Sequence, residues 1–262
     1  MIAEEMSGVE KKVIIVTGGS SGMGKYMAQK FAKENFNVVI TGRDLDRLME
    51  AKKEIKIKTD SVFPVQMDVR SPEDVDKMVT ETCNKFGRID VLINNAAGNF
   101  ICPAENLSIN GWKSVIDIVL NGTFYCSSAV GKYWMENKIH GTIINMVATY
   151  AWNAGAGVAH SAAAKAGVLS LTRTLAVEWG TKYGIRVNAI APGPIERTGG
   201  VAKLLQSEEE AKKITESVPL KRFGKPEEIA ELAFFLSSEK AAYINGECIT
   251  MDGGQWLQPF PF

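Results

Sequence analysis

The sequence predicts a doubly wound α/β fold, one parallel sheet with helices on both faces. Three observations lead there. Short apolar runs alternate with longer amphipathic segments along the chain. Most of the short runs are almost continuously apolar, as strands covered on both faces must be. A glycine-rich turn at 17–24 joins the first run to the first helix.

Taken in order, the runs at 13–16, 38–40, 91–93, 143–147 and 185–190 read as strands, with helical patterns between them. Met23, Met27 and Phe31 recur about one helical turn apart and so share a face of the first helix. Ser71 followed by Pro72, Glu73 and Asp74 opens another, with a capping hydroxyl, a proline at the first helical position and acids in the first turn. Lys225, Pro226, Glu227 and Glu228 open a late helix in a similar way. At about 150 residues per domain, 262 residues allow one or two. No repeat, low-complexity tract or Pro/Ser-rich linker divides the chain, so 1–262 is expected to be a single domain.

Composition narrows the partners. With 30 basic and 30 acidic residues, bulk charge gives no reason to expect nucleic acid or an anionic membrane. No apolar run is long enough to span a bilayer, so no membrane insertion is expected. Cys83, Cys102, Cys126 and Cys248 form no C-x-x-C pair, and His140 and His160 are the two histidines, which argues against a metal site. Residues 1–12 carry three acids and no apolar core of a secretion signal, and 259–262 match neither a peroxisomal nor a prenylation signal. A cytoplasmic location is the expectation.

The turn Thr17, Gly18, Gly19, Ser20, Ser21, Gly22, Met23, Gly24 has the spacing G-x-x-x-G-x-G. A dinucleotide site needs glycine there, because backbone approaches the pyrophosphate and the helix N-terminus faces it. After the second strand, an enzyme for NAD would place an acid on the ribose hydroxyls. Thr41 stands near that position and Arg43 just beyond it. A guanidinium grips a 2′-phosphate in bidentate fashion, so NADPH is the expected cofactor. The alternative is that Arg43 merely pairs with Asp44 or Asp46.

Together with Asp68, Val69, Asn94, Asn95, Ala96, Ala97, Gly98, Asn121, Lys165, Pro192, Gly193, Pro194 and Ile195, this turn resembles the short-chain dehydrogenase/reductase family over about 12–254. The resemblance implies a single Rossmann domain, a substrate lid at about 196–222 and a homotetramer. It implies cofactor contacts from Gly18, Ser20, Ser21, Gly22, Met23 and Gly24. Asp68 and Val69 would hold adenine, and Asn95, Ala96 and Gly98 would line the cofactor. Pro192, Gly193 and Ile195 would meet the nicotinamide, and Lys165 its ribose.

The chain departs from the family at two catalytic positions. The usual Y-x-x-x-K puts a phenol and an ammonium on one helix face, yet Ser161 stands four residues before Lys165, and Ala148 stands where the family has its catalytic Ser. Tyr150 lies eleven residues before Ser161, and Asn99 follows Gly98 at the end of a strand. This constellation resembles the 2,4-dienoyl-CoA reductases, which carry S-x-x-x-K. Tyr150 matches the mitochondrial type, whereas Ala148, Trp179 and 185–188 look more like the peroxisomal type, which lacks that Tyr. The resemblance implies NADPH-dependent reduction of 2,4-dienoyl-CoA thioesters to 3-enoyl-CoA in the β-oxidation of unsaturated fatty acids. Tyr150 and Asn99 would donate to the thioester oxygen, with Tyr150 or a water supplying the proton. Lys165 and Ser161 would support the cofactor, and Asn121 would shape the site. Phe100, Ser108 and Lys203 would contact the acyl-CoA substrate. The cations Arg197, Lys203, Lys212, Lys213, Lys221 and Arg222 suit CoA phosphates or, equally, a solvated amphipathic lid. Two other readings stay open: a carbonyl or alcohol oxidoreductase with a displaced Tyr, and a non-enzymatic NADPH-binding protein.

Overall fold

The computed structural model describes residues 11–55, 61–199 and 208–257; Lys203, residues 1–10 and 258–262 lie outside them. Seven parallel strands form one sheet: β1 (Val13–Thr17), β2 (Asn37–Gly42), β3 (Val62–Gln66), β4 (Val91–Asn94), β5 (Thr142–Met146), β6 (Arg186–Pro192) and β7 (Cys248–Met251). Their order across the sheet is β3-β2-β1-β4-β5-β6-β7. The helices are α1 (Gly22–Lys33), α2 (Leu45–Glu54), α3 (Pro72–Phe86), α4 (Ile109–Ile116), α5 (Gly122–Asn137), α6 (Ala159–Tyr183), α7 (Glu208–Ser217) and α8 (Pro226–Ser237).

The near-continuous apolar runs follow from burial on both faces. In β1, Ile14 and Val16 pack with Met27 and Phe31 of α1, whereas Val13 and Ile15 pack on the opposite face with Val75 and Met78 of α3. The cap signals hold. Ser71 Oγ accepts from Asp74 N–H at 3.1 Å, and the Glu228 carboxylate accepts from Lys225 N–H at 2.7 Å at the start of α8. Two strands go beyond the sequence reading, β3 and β7, and both are sheet edges. Pro64 interrupts the run of β3, which an edge tolerates because one side of the strand needs no N–H donor. At only four residues, Cys-Ile-Thr-Met, β7 is too short for periodicity to show.

The sheet winds one way from β1 to β2 and the other way from β1 to β4. That reversal opens a crevice at the C-terminal ends of β1 and β4, where open α/β sheets hold their ligands.

Candidate active site

The crevice is braced by a cross-strand lock. Thr17 Oγ1, at the end of β1, accepts from the N–H groups of Asn95 and Ala96, each at 3.0 Å. The Asn95 amide donates back to the carbonyls of Thr17 at 2.9 Å and Gly18 at 3.2 Å. Asn95 thus spends its amide N–H groups on shaping the turn. Gly18 adopts φ +64°, and a Cβ on Gly24 would overlap the Gly18 carbonyl oxygen. Side chains of Asp44, Ser71 and Ser108 cap α2, α3 and α4, but none caps α1. The first N–H groups of α1 therefore point from a tight glycine cradle with no side-chain acceptor, the arrangement that receives a pyrophosphate. Ser20 and Ser21 lie on this turn, whereas Met23 turns into the core.

At the far end of the crevice, Arg43 is exposed just past β2, its carbonyl held by the Gln66 amide at 2.8 Å. Asp44 caps α2 and pairs with Arg47, so the expected alternative partner is engaged elsewhere. Arg43 forms no ion pair among the described residues. Hydrogen bonds from the Arg70 guanidinium hold the Asp68 carboxyl below the usual carboxylate range, and the Arg43 charge adds to this. Val69 is buried beneath Gly122, where a Cβ would meet it at 2.8 Å. These residues fit a dinucleotide with a phosphorylated ribose.

The reacting end lies past β5. Ala148 presents only a buried methyl, and a short 3₁₀ turn, Thr149–Ala151, then carries Tyr150. The Tyr150 hydroxyl lies 3.1 Å from Ser161 Oγ on α6. Tyr150 is therefore anchored toward the helix, while Trp152 packs edge-to-face on Trp256 at 5.8 Å. One turn beyond Ser161, Lys165 is buried and donates to the Met146 carbonyl at the end of β5. Burial pushes its ammonium down to about 8.

The residue after Asn99 reaches α6. The Phe100 ring packs on His160 at 4.4 Å, one residue before Ser161, and Cys102 N–H donates to the Gly157 carbonyl at 2.9 Å. His160 is buried, its Nδ1 accepting from Ser161 N–H at 2.7 Å, as befits a structural residue. Gly98 packs against Ile118. Beyond β6, Gly193 fits against Asp252, and Ile195 is buried and paired with Gly224.

Two expected contributors sit differently. Asn121 closes a π-helical turn, Asp117–Asn121, and its amide donates to Asp117 at 2.8 Å, on a face near the Arg70 charge. Its side chain is not hydrogen-bonded to Tyr150, Ser161 or Lys165. Ser108 is the cap of α4, its Oγ accepting from Gly111 N–H at 3.0 Å. In the described lid, Arg197 pairs with Glu227 and Glu196, Arg222 with Glu228, Lys213 with Glu209 and Lys212 with Glu216. Arg222 holds the Glu228 carboxyl down at about 2. Such exposed pairs favor the solvated-lid reading, though pairs this exposed exchange partners at little cost. Thr17 and the π turn escaped the sequence reading. A threonine ending a strand gives no sign of a partner 78 residues away, and a π turn leaves no periodic mark in so short a segment. No metal-binding cluster occurs among the described residues, and none of their helices is long and apolar enough to cross a membrane.

The chain matches the family model described as enoyl-(acyl carrier protein) reductase over residues 18–255. It is 65% identical over 254 residues to a protein of Bacillus subtilis (strain 168) named probable 2,4-dienoyl-CoA reductase [(2E)-enoyl-CoA-producing], covering 97% of this chain and 100% of that one. It is 41% identical to the peroxisomal 2,4-dienoyl-CoA reductase [(3E)-enoyl-CoA-producing] of Danio rerio, covering 94% of this chain and 82% of that one. A crystal structure of a short chain dehydrogenase from Bacillus anthracis str. 'Ames Ancestor' superposes with a TM-score of 0.90 at 65% identity, covering 96% of this chain and 99% of that one.

Proposed function

Because the chain belongs to the short-chain dehydrogenase/reductase family, we propose that it reduces 2,4-dienoyl-CoA thioesters with NADPH to 3-enoyl-CoA. The observation that carries the reading is the Tyr150 hydroxyl at 3.1 Å from Ser161 Oγ. A phenol from the β5 turn thereby reaches the helix that lacks the family's tyrosine.

When bound, NADPH supplies the hydride. The glycine cradle and the N-terminus of α1 hold its pyrophosphate, Arg43 its 2′-phosphate, and Asp68 and Val69 its adenine. Lys165 and Ser161 support the ribose, and Pro192, Gly193 and Ile195 flank the nicotinamide. Tyr150 and Asn99 donate to the thioester oxygen as charge gathers there; losing one such donor costs about 10²–10³ in rate. The proton goes from Tyr150, or a water it holds, to the carbon next to the thioester. A donor beside that oxygen lies nearer C2 than C4, which favors the 3-enoyl over the 2-enoyl product.

The domain acts as one unit, 1–262 with its lid at about 196–222, in a homotetramer of the cytoplasm. Phe100, through its half-open ring, and Lys203 contact the substrate, and Ser108 positions α4 beside it. The experiment is NADPH oxidation with a 2,4-dienoyl-CoA against its 2-enoyl counterpart, with product identified by NMR. Dienoyl-dependent turnover that falls about 10²-fold or more in Tyr150→Phe is expected. Turnover of simple ketones instead would favor the carbonyl reductase. Cofactor binding without turnover would favor the non-enzymatic reading. Undiminished turnover in Tyr150→Phe would remove Tyr150 from its role.

A further inference from the structure

An apolar patch beside the reacting end has no partner in the mechanism above. Trp152 and Trp256 meet edge-to-face at 5.8 Å and remain 38% and 37% exposed. Leu220 and Leu257, at 64% and 59% exposed, are hydrogen-bonded through their N–H groups to the turn that carries Trp256. The two indoles join the catalytic loop to the C-terminal turn, and contiguous exposed apolar surface of this kind marks a binding site.

The C-terminal turn is built to hold that position. The Asp252 carboxylate accepts from Gly254 N–H and Trp256 N–H, both at 2.8 Å. Gly193, at the end of β6, packs directly on Asp252. The Gln255 amide donates to Ser217 Oγ at 2.9 Å at the end of α7, and Leu220 N–H donates to the Gly253 carbonyl at 3.3 Å. The turn therefore bridges the β6 end, the lid base and, through Trp256, the loop two residues beyond Tyr150. Trp152 stands two residues beyond Tyr150, so the loop that carries the proposed donor also carries one half of this indole pair.

We infer that Trp152 and Trp256 form the wall on which the acyl tail of the substrate lies, and so set chain-length preference. This rests on the dienoyl-CoA reading. Indole faces are broad, rigid and apolar, and an alkyl chain laid along them leaves water without ordering a flexible side chain.

The readout is the ratio of kcat/KM for 2,4-decadienoyl-CoA to that for 2,4-hexadienoyl-CoA. Burial of each methylene is worth roughly fourfold. Trp256→Ala, and independently Trp152→Ala, should lower the ratio about fifteenfold if two methylenes lose their wall. Trp256→Phe should keep it within about threefold of the parent, because a smaller aromatic face remains. An unchanged ratio in both alanine variants overturns the inference. So does an unchanged ratio with an altered oligomeric state on gel filtration, which assigns the patch to a second copy. If the parent oxidizes NADPH with neither thioester, the functional reading fails by itself. The wall is then judged by binding of decanoyl-CoA and butanoyl-CoA, which need no turnover. Selective loss of decanoyl-CoA affinity in the alanine variants supports it, and equal loss of both overturns it.

Discussion

Replacing Lys165 with Met should make the protein more stable near neutral pH and erase a pH dependence that the parent carries. The ammonium is buried at the end of β5 with one hydrogen bond, to the Met146 carbonyl. Burial alone lowers it from 10.5 to about 8. Below about 8 the group is charged in both folded and unfolded chains, and the folded state bears the whole cost of the buried charge. Between about 8 and 10.5 the unfolded chain holds a proton that the folded chain has released, so stability rises with pH across that window. At about 1.4 kcal/mol per pH unit, the cost below the window is about 3 kcal/mol. By pH 9.5 it should shrink to a little over ~1 kcal/mol. Urea unfolding of the cofactor-free parent and of Lys165→Met at pH 7.5 and 9.5 measures this as a difference. Thiols and phenols that titrate nearby, such as Cys248 at about 11 and Tyr133 at about 12, cancel in that difference. The Met variant should lead by up to ~3 kcal/mol at pH 7.5, with most of the lead gone by pH 9.5. A gap that stays constant between the two pH values would refute the reasoning. The stored cost would then lie in packing, not in the charge.

Two further outcomes test the cofactor crevice. Arg43→Asp should weaken NADPH by about 10²-fold, because a charge-assisted bidentate grip is lost and a repulsion is added, while NADH changes only a few-fold; isothermal titration with both cofactors decides, and equal weakening removes Arg43 from the 2′-phosphate. Gly24→Ala should cost about 3 kcal/mol, the upper end for overpacking, and abolish cofactor binding, because its Cβ overlaps the Gly18 carbonyl and the Asn95 amide. Gly22→Ala, at φ +50° with its nearest neighbor 3.9 Å away, should cost only the backbone strain of about 1–2 kcal/mol. Urea midpoints in the opposite order would show that the turn relaxes around Gly24.

What was legible in the sequence is what neighbors along the chain decide. The glycine spacing, the Ser71 and Lys225 helix starts, Arg43 in place of an acid and Ser161 four residues before Lys165 are all local statements. Buried strands announce themselves because every residue faces a core, whereas edge strands need fewer apolar groups, which hides β3 and β7. Contacts between distant segments left no such sign. Thr17 braces Asn95, and Trp152 meets Trp256.

The departure from Y-x-x-x-K lies on the boundary between these two kinds of information. Read along the chain, Ser161 looks like the loss of a proton donor, since its hydroxyl stops short of where a phenol reaches. Read in space, the loss is also what makes room. The Tyr150 hydroxyl comes within hydrogen-bonding distance of Ser161 Oγ from the β5 turn, and a tyrosine at position 161 would occupy the space that this phenol fills. A short hydroxyl on α6 thus leaves room for a phenol from the β5 turn to dock there. Two residues on, Trp152 lies edge-to-face against Trp256. On the proposed mechanism, a donor moved off the helix beside an indole pair suits a long conjugated thioester better than a compact ketone.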